Sequence, residues 1–557
     1  MKKIIIKLAA SLFVIGIAGC GVGVEDRVPG SNPAKAAQIA AALAEPDDPT
    51  VRQSRSDAKR FLDQATYGPS LSEMDRVTTL GFEAWIDDQL QLSPTLMLPA
   101  LRALPNHRWN EYVNVWWRQS VTANDQLRQR VAFALSEIFV VSARDGLGDE
   151  QLGLANYYDI LIRNAFGNYR DLLQEVTLSP IMGEYLSMKG NHKPDPEQSI
   201  RPDENYAREL LQLFSIGLVE LNLDGTPALD ASGEPVPTYT QETVEAFAHV
   251  FTGWNFSNAD HFLWPSTSDY LSPMVAYPRY HATRQKNLLR GKILPKDQTP
   301  EQDLNQALNN IFNHPNVGPF ISRQLIQKLV TSNPSPQYIA DVATVFNANE
   351  DGERGSLGSV VKAILLHHEA RQGHLEQPTT FGKLKEPVLR ITSLWRAFEP
   401  AYFPANFNYG WVGSELGQSP LNSPSVFNFF TPFYSLPGEI QDRGLVSPEF
   451  EIHDETSIIK ITNRLLASTL WSHNYQYESD ENRLALDISL EVALEEQDPD
   501  RLLDHLDILL LGGRMTEEMR SVLHTLMDGY SYASGGPQRV IETIFMIASS
   551  PAAAIQI

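Results

Sequence analysis

Pro202-Asp-Glu-Asn-Tyr-Ala-Arg-Glu-Leu-Leu-Gln-Leu-Phe-Ser-Ile-Gly217 is the stretch whose pattern decides the fold class. At about 100° per residue, Tyr206, Ala207, Leu210, Leu211, Leu213 and Phe214 share one half of a cylinder. Glu204, Asn205, Arg208, Glu209, Gln212 and Ser215 share the other half. The pattern predicts a helix over 203–217, with Asp203 as N-cap and Gly217 as C-cap. Its polar half lacks Lys, the usual filler of a solvated face. A row of carboxylates, amides and one guanidinium stands there instead, which makes it a candidate cleft lining.

The same period recurs outward in both directions. Segments 57–66, 72–80, 82–90, 110–143 and 157–187 precede it. Segments 302–312, 317–331, 336–346, 357–367, 381–398, 458–471, 502–511, 517–527 and 540–548 follow. Thr238 and Gln241 are spaced as a capping box for a further helix that Gly253 ends. Sustained strict alternation is absent, so helix dominates. Stretch 222–236 has two Gly turns and reads as a small β-hairpin or a long loop. Stretches 255–300 and 406–448 are irregular and rich in aromatics. A chain of 557 residues is long for one core, since cores stop growing near ~250–300 residues. The expectation is a mainly α protein of two packed helical lobes, 56–300 and 301–557, with at most a small β-hairpin.

The first residues read as an export signal. Lys2 and Lys3 precede a largely apolar run to Ala18, which is shorter than the ~20 residues a membrane span needs. Ile17-Ala-Gly-Cys20 follows and resembles the lipobox of bacterial lipoproteins. Cys20, the single cysteine, then becomes the acylated first residue of the mature chain after removal of 1–19. The alternative is a plain secretory signal with an incidental Cys. Gly21 after the Cys resembles outer-membrane sorting in Gram-negative bacteria. Residues 20–55, broken by Pro29, Pro33, Pro46 and Pro49, read as a flexible tether. The formal charge of −23 becomes more negative once Lys2, Lys3 and Lys7 are removed. Such a field repels phosphate backbones and argues against nucleic acid as a partner.

Several stretches carry a family resemblance. They are Arg60-Phe-Leu-Asp-Gln-Ala-Thr-Tyr-Gly-Pro69, the stretch 201–213, Val250-Phe-Thr-Gly-Trp254 and 320–334. Gly382-Lys-Leu-Lys-Glu-Pro-Val-Leu-Arg390 and Ser423-Pro-Ser-Val-Phe-Asn-Phe-Phe430 complete the set. In this order they resemble the bacterial domain of unknown function 1800 family. The resemblance implies an exported, largely helical protein and brings no established activity. It also implies a partner, because genes of the family often sit beside those of an exported protein resembling the alkaline phosphatase and sulfatase fold.

Several constellations of residue types carry candidate chemistry. Glu204, Arg208 and Glu209 could present carboxylates and a guanidinium to a cleft; the structural alternative is a self-neutralising helix face or an interlobe brace. His281, in Arg279-Tyr-His-Ala-Thr-Arg-Gln-Lys286, resembles a family motif centred on His and could join them as a catalytic group. Asn205, His249 and Trp254 are candidate ligand-binding residues, with Glu245 one turn before His249. The aromatic–amide loops, Trp254-Asn-Phe256 and 425–430 with Tyr409 and Trp411, could stack sugar rings, against ordinary core packing. His367, His368 and His374 do not form a metal-ligand pattern, because adjacent histidines on a helix point apart. Nothing in the sequence points to a cofactor. His-Glu-x-x-His, Gly-x-Ser-x-Gly and Walker loops are absent. Two readings follow: a lipid-anchored envelope enzyme acting on a glycan-like polymer, or a non-catalytic binding or assembly module of the envelope.

Overall fold

Helix Gln126–Ser136 is buried along its whole length, Arg128 and Arg130 included. An 11-residue helix without a solvated face has to be covered from every side. In the computed structural model it packs against helices Gln151–Asn164, Phe82–Gln91 and Val317–Leu329, and against helix Pro49–Ala65. The structure describes residues 33–44, 48–144, 146–400, 404, 407–469, 484, 486–529 and 536–557. The predicted signal 1–19 and Cys20 lie outside them. Helix dominates throughout, as its sequence period requires. None of the described helices is long and apolar enough to cross a membrane.

Residues 1–46 and 47–557 are separate units. The described part of the first is helix Pro33–Ala44. In the second, helix Pro49–Ala65 starts within the segment read as a tether. Asp48 caps it by accepting the Thr50 N–H at 2.8 Å. Residues on both sides of the predicted 300/301 boundary share one compact unit. Helix Pro300–Phe312, with a full Thr299–Gln302 capping box, packs on helices Tyr169–Leu178 and Gln241–Val250.

Strands are short. Trp254–Asn255 pairs with Val275–Ala276, and Lys286–Asn287 with Ile293–Leu294, both antiparallel. Lys383–Leu384 pairs with Ile555–Gln556, so the last residues of the chain lie beside the middle of the sequence. Stretch 222–236 forms turns closed by the isolated bridges Leu221↔Pro227 and Leu229↔Pro235.

The organising helix is shorter than its pattern predicted. It spans Asn205–Gln212, and Asp203 Oδ1 accepts the Asn205 N–H at 2.8 Å. Beyond Leu213 the chain widens: the Phe214 N–H reaches Glu209 O, and the Ile216 and Gly217 N–H groups reach Leu211 O. Gly217 has φ 72°, and a Cβ there would lie 2.8 Å from the Phe320 ring. That close approach, together with the left-handed backbone, ends the element. The next helix, Gln241–Val250, begins after Thr240 and not after Thr238. Thr238 instead donates its hydroxyl to Gly217 O at 2.5 Å.

Candidate functional site

Tyr206, Ala207, Leu210, Leu211 and Phe214 are buried, as the spacing requires. On the other face, Arg208 Nη2 donates to Glu204 Oε2 at 2.9 Å and to Gln241 Oε1 at 3.1 Å. Gln241 Nε2 closes the triangle on Glu204 Oε2 at 2.8 Å. Glu204 and Arg208 are part-exposed and Asn205 is exposed. Glu209 differs from these neighbours. It is buried, its Oε2 has no hydrogen-bond partner among the described residues, and burial pushes its carboxyl up against the opposing pull of Arg208. The nearby Tyr239 hydroxyl is also unpartnered, and burial pushes it up to about 12.

His281 is fully buried beside Asp303 and Lys286. Its Nε2 lies 2.9 Å from Asp303 Oδ2, and its Nδ1 lies 2.9 Å from Thr252 O. Both ring nitrogens are therefore engaged. Lys286 Nζ donates to the same Asp303 Oδ2 at 2.5 Å and to Ala282 O at 2.5 Å. His249 is pushed down to about 4, first by burial and then by the charges of Arg284, Lys286 and His281. Its Nδ1 and the Trp254 Nε1 are buried without partners. Helix Gln241–Val250 thus has the Glu204–Arg208 pair at its start and the His281 group at its end. Among the described residues no hydrogen bond or ion pair joins Glu204, Arg208 or Glu209 to His281.

The structure assembles a different cluster around the end of the central helix. Glu137, the C-cap of Gln126–Ser136, meets Glu386, the N-cap of helix Pro387–Ala397. Burial first, and then the Glu386 carboxylate, push Glu137 far above the usual carboxylate range. Although burial opposes it, Lys383, Lys328 and Arg130 hold Glu386 below that range. Among the described residues Glu137 Oε2 and Glu386 Oε1 are buried without a hydrogen-bond partner, and Glu137, the raised member of the pair, is the one that keeps its proton. Lys328 Nζ lies 3.5 Å from Glu137 Oε2, and Lys383 Nζ lies 4.0 Å from Glu386 Oε1 and 2.9 Å from Glu449 Oε1. Gln418 Nε2 donates to Glu386 Oε2 at 2.5 Å. Arg130 Nη2 donates to Lys328 O at 2.6 Å, while its Nε and Nη1 are unpartnered. Three stretches that carry the family resemblance meet here, through Lys328, Lys383 with Glu386, and Asn428. No local signal marked Glu137 in the sequence, where it falls inside the helical segment read as 110–143.

A separate open cleft of about 560 Å³ is lined by Ser70, Glu73, Arg76, Asp88, Arg396 and Glu399, with Gln89, Asn124 and Gln126 among the remaining walls. Arg76 donates to Asp88 Oδ2 at 2.5 Å and to Glu73 at 3.3 Å. Trp85 Nε1 donates to Glu73 Oε2 at 2.9 Å. Glu399 Oε1 accepts a hydrogen bond from Ser72 Oγ at 2.5 Å. Arg396 is held by Gly68 O and Val121 O, each at 2.6 Å, and burial pushes it down to about 10. None of the seven residues singled out from the sequence lines this cleft. Neither does Glu137.

No curated protein and no solved structure matches the chain. The family profile described as protein of unknown function (DUF1800) matches residues 60–554. That span takes in nearly the whole of the second unit, including the central helix, the buried acid–base cluster and the cleft, and the chain belongs to this family.

Proposed function

We propose that the protein is a lipid-anchored envelope module that binds a polar, glycan-like polymer without turning it over. The observation that carries this reading is the cleft between 70–76 and 396–400. Its volume is that of a ligand site, and its walls set carboxylate, guanidinium and amide groups beside the apolar Leu92, Val121, Ala123 and Pro400, a mixture that suits the hydroxyls and ring faces of a saccharide. Three carboxylates, Glu73, Asp88 and Glu399, stand against two guanidiniums, Arg76 and Arg396. That balance, in a chain of formal charge −23, favours a neutral or amine-bearing saccharide over an anionic one. The carboxyls that burial pushes up, Glu137, Asp159 and Glu209 among them, lie outside the cleft, so no raised acid is positioned on a bound ligand there.

Co-sedimentation with insoluble cellulose and chitin tests the reading. Retention without release of soluble reducing ends is the expected result; failure to sediment with either polymer contradicts it. The anchor rests on Ile17-Ala-Gly-Cys20, and Cys20→Ser is expected to move the protein out of the membrane fraction. The exported partner that resembles the alkaline phosphatase and sulfatase fold belongs to the same proposal, and envelope pulldown with the anchored protein tests it.

One observation favours the catalytic reading with Glu204, Arg208, Glu209 and His281: the buried, unpartnered, raised carboxyl of Glu209. Under that reading, Glu209→Ala abolishes polymer cleavage in a folded protein.

A further inference from the structure

Glu137 touches an amine with one oxygen and an amide with the other. Lys328 Nζ lies 3.5 Å from Oε2, and Asn428 Nδ2 donates to Oε1 at 3.3 Å. The three residues come from a helix end, a second helix and a loop, and they are 6%, 4% and 7% exposed respectively. Bulk water is therefore excluded from the space between amine and amide. The Phe430 ring covers the ammonium, with Nζ 3.9 Å from the centroid. Asn428 sits at φ 69°, in the left-handed region, which turns its amide inward while Phe427 and Phe433 on the same loop stay exposed. The other charged groups of the cluster are Glu386, Lys383, Arg130 and Glu449. An amine, a side-chain amide and a proton-carrying carboxyl in one dry site form the set needed to exchange one amide bond for another.

We propose that Lys328 and Asn428 become joined by an intramolecular isopeptide bond whose formation Glu137 catalyses. Lys328 first passes one ammonium proton to the Glu137–Glu386 pair. The freed electron pair on Nζ attacks Cγ of Asn428 and forms the Nζ–Cγ bond. A second proton moves from the attacking nitrogen through Glu137 to Nδ2. The Cγ–Nδ2 bond breaks, and ammonia leaves, taking the first proton with it as ammonium. One amide replaces another, the carboxyl pair is restored, and no oxidant or cofactor takes part. The product ties helix Val317–Leu329 to the aromatic loop that covers the cluster. It also supplies a covalent tie to a chain whose single cysteine cannot form an intrachain disulfide.

Mass spectrometry of the purified full-length protein, denatured and digested with trypsin, tests the bond directly. The expected result is a branched peptide that contains both Lys328 and Asn428, uncleaved after Lys328. Its mass should be lower by one ammonia than the sum of its parts. Separate linear peptides, with cleavage after Lys328, overturn the proposal. Glu137→Gln gives the second arm. If this variant is folded by circular dichroism, it is expected to yield only linear peptides, and a branched peptide from it would remove Glu137 from the reaction. If it does not fold, the wild-type digest decides alone.

Discussion

Lys385 Nζ reaches Asp63 Oδ1 at 3.0 Å across 322 residues of chain. Lys59 takes the other oxygen of the same carboxylate at 2.5 Å. All three groups are buried. Burial pushes the Lys59 ammonium down to about 7, against the pull of Asp63. One carboxylate therefore holds two buried cations and fastens helix Pro49–Ala65 to the segment that leads into helix Pro387–Ala397.

Removing that shared acceptor leaves both lysines without a counter-charge. Asp63→Ala is expected to destabilise the protein by about 3–5 kcal/mol, the range found when one partner of a buried ion pair is deleted. Urea unfolding measures this. A loss below about 1 kcal/mol, the scale of an exposed pair, would place the group at the surface energetically.

Glu209 predicts a pH dependence of definite sign. Its folded-state carboxyl is raised by burial above an unfolded value near ~4.3. The folded state therefore binds the proton more tightly than the unfolded chain does. The resulting stability is fully present below the unfolded value and is lost as pH rises through the folded one. Glu209→Gln removes this term, so its melting temperature should fall less than the wild type's between acid and neutral pH. Parallel curves for the two proteins would show that Glu209 does not titrate differently on folding.

Four histidines act in the opposite direction. Burial pushes each of His249, His314, His374 and His453 down to about 4. Their contribution is present above the unfolded value of ~6.5 and is lost as pH falls toward about 4. The melting temperature should drop over that window. His249→Gln should flatten part of the drop, and the ring resonances of all four should titrate late in the folded protein. A ring that titrates at its unfolded value contradicts the burial argument for that site.

The apolar side of Asn205–Gln212 was readable because Tyr206, Ala207, Leu210 and Leu211 repeat at helical spacing and bury where the period puts them. The fate of Glu209 was not readable. Helix Gln241–Val250 packs against this helix, and no local pattern announces it. His281 was singled out from its loop, but its partners Asp303 and Lys286 depend on tertiary contacts. The cleft was invisible for the same reason. Ser70, Asp88, Asn124 and Glu399 come from separate parts of the chain, and Asn124 falls inside the stretch read as one helical segment, 110–143. Glu137 was not legible either, since it falls inside the segment read as 110–143, and the end of the buried helix beside it and its partner Glu386 come from tertiary packing.

The cleft lined by Glu73, Arg76, Asp88, Arg396 and Glu399 carries the proposed binding. The most direct test is titration of the purified protein with soluble neutral oligosaccharides, comparing wild type with Arg76→Ala at matched melting temperature. Saturable binding by the wild type, weakened about tenfold or more in the variant, is expected, since a hydrogen bond to a charged group contributes ~1.5–3 kcal/mol. Equal affinities for the two proteins, or no saturable binding by the wild type, would contradict the account.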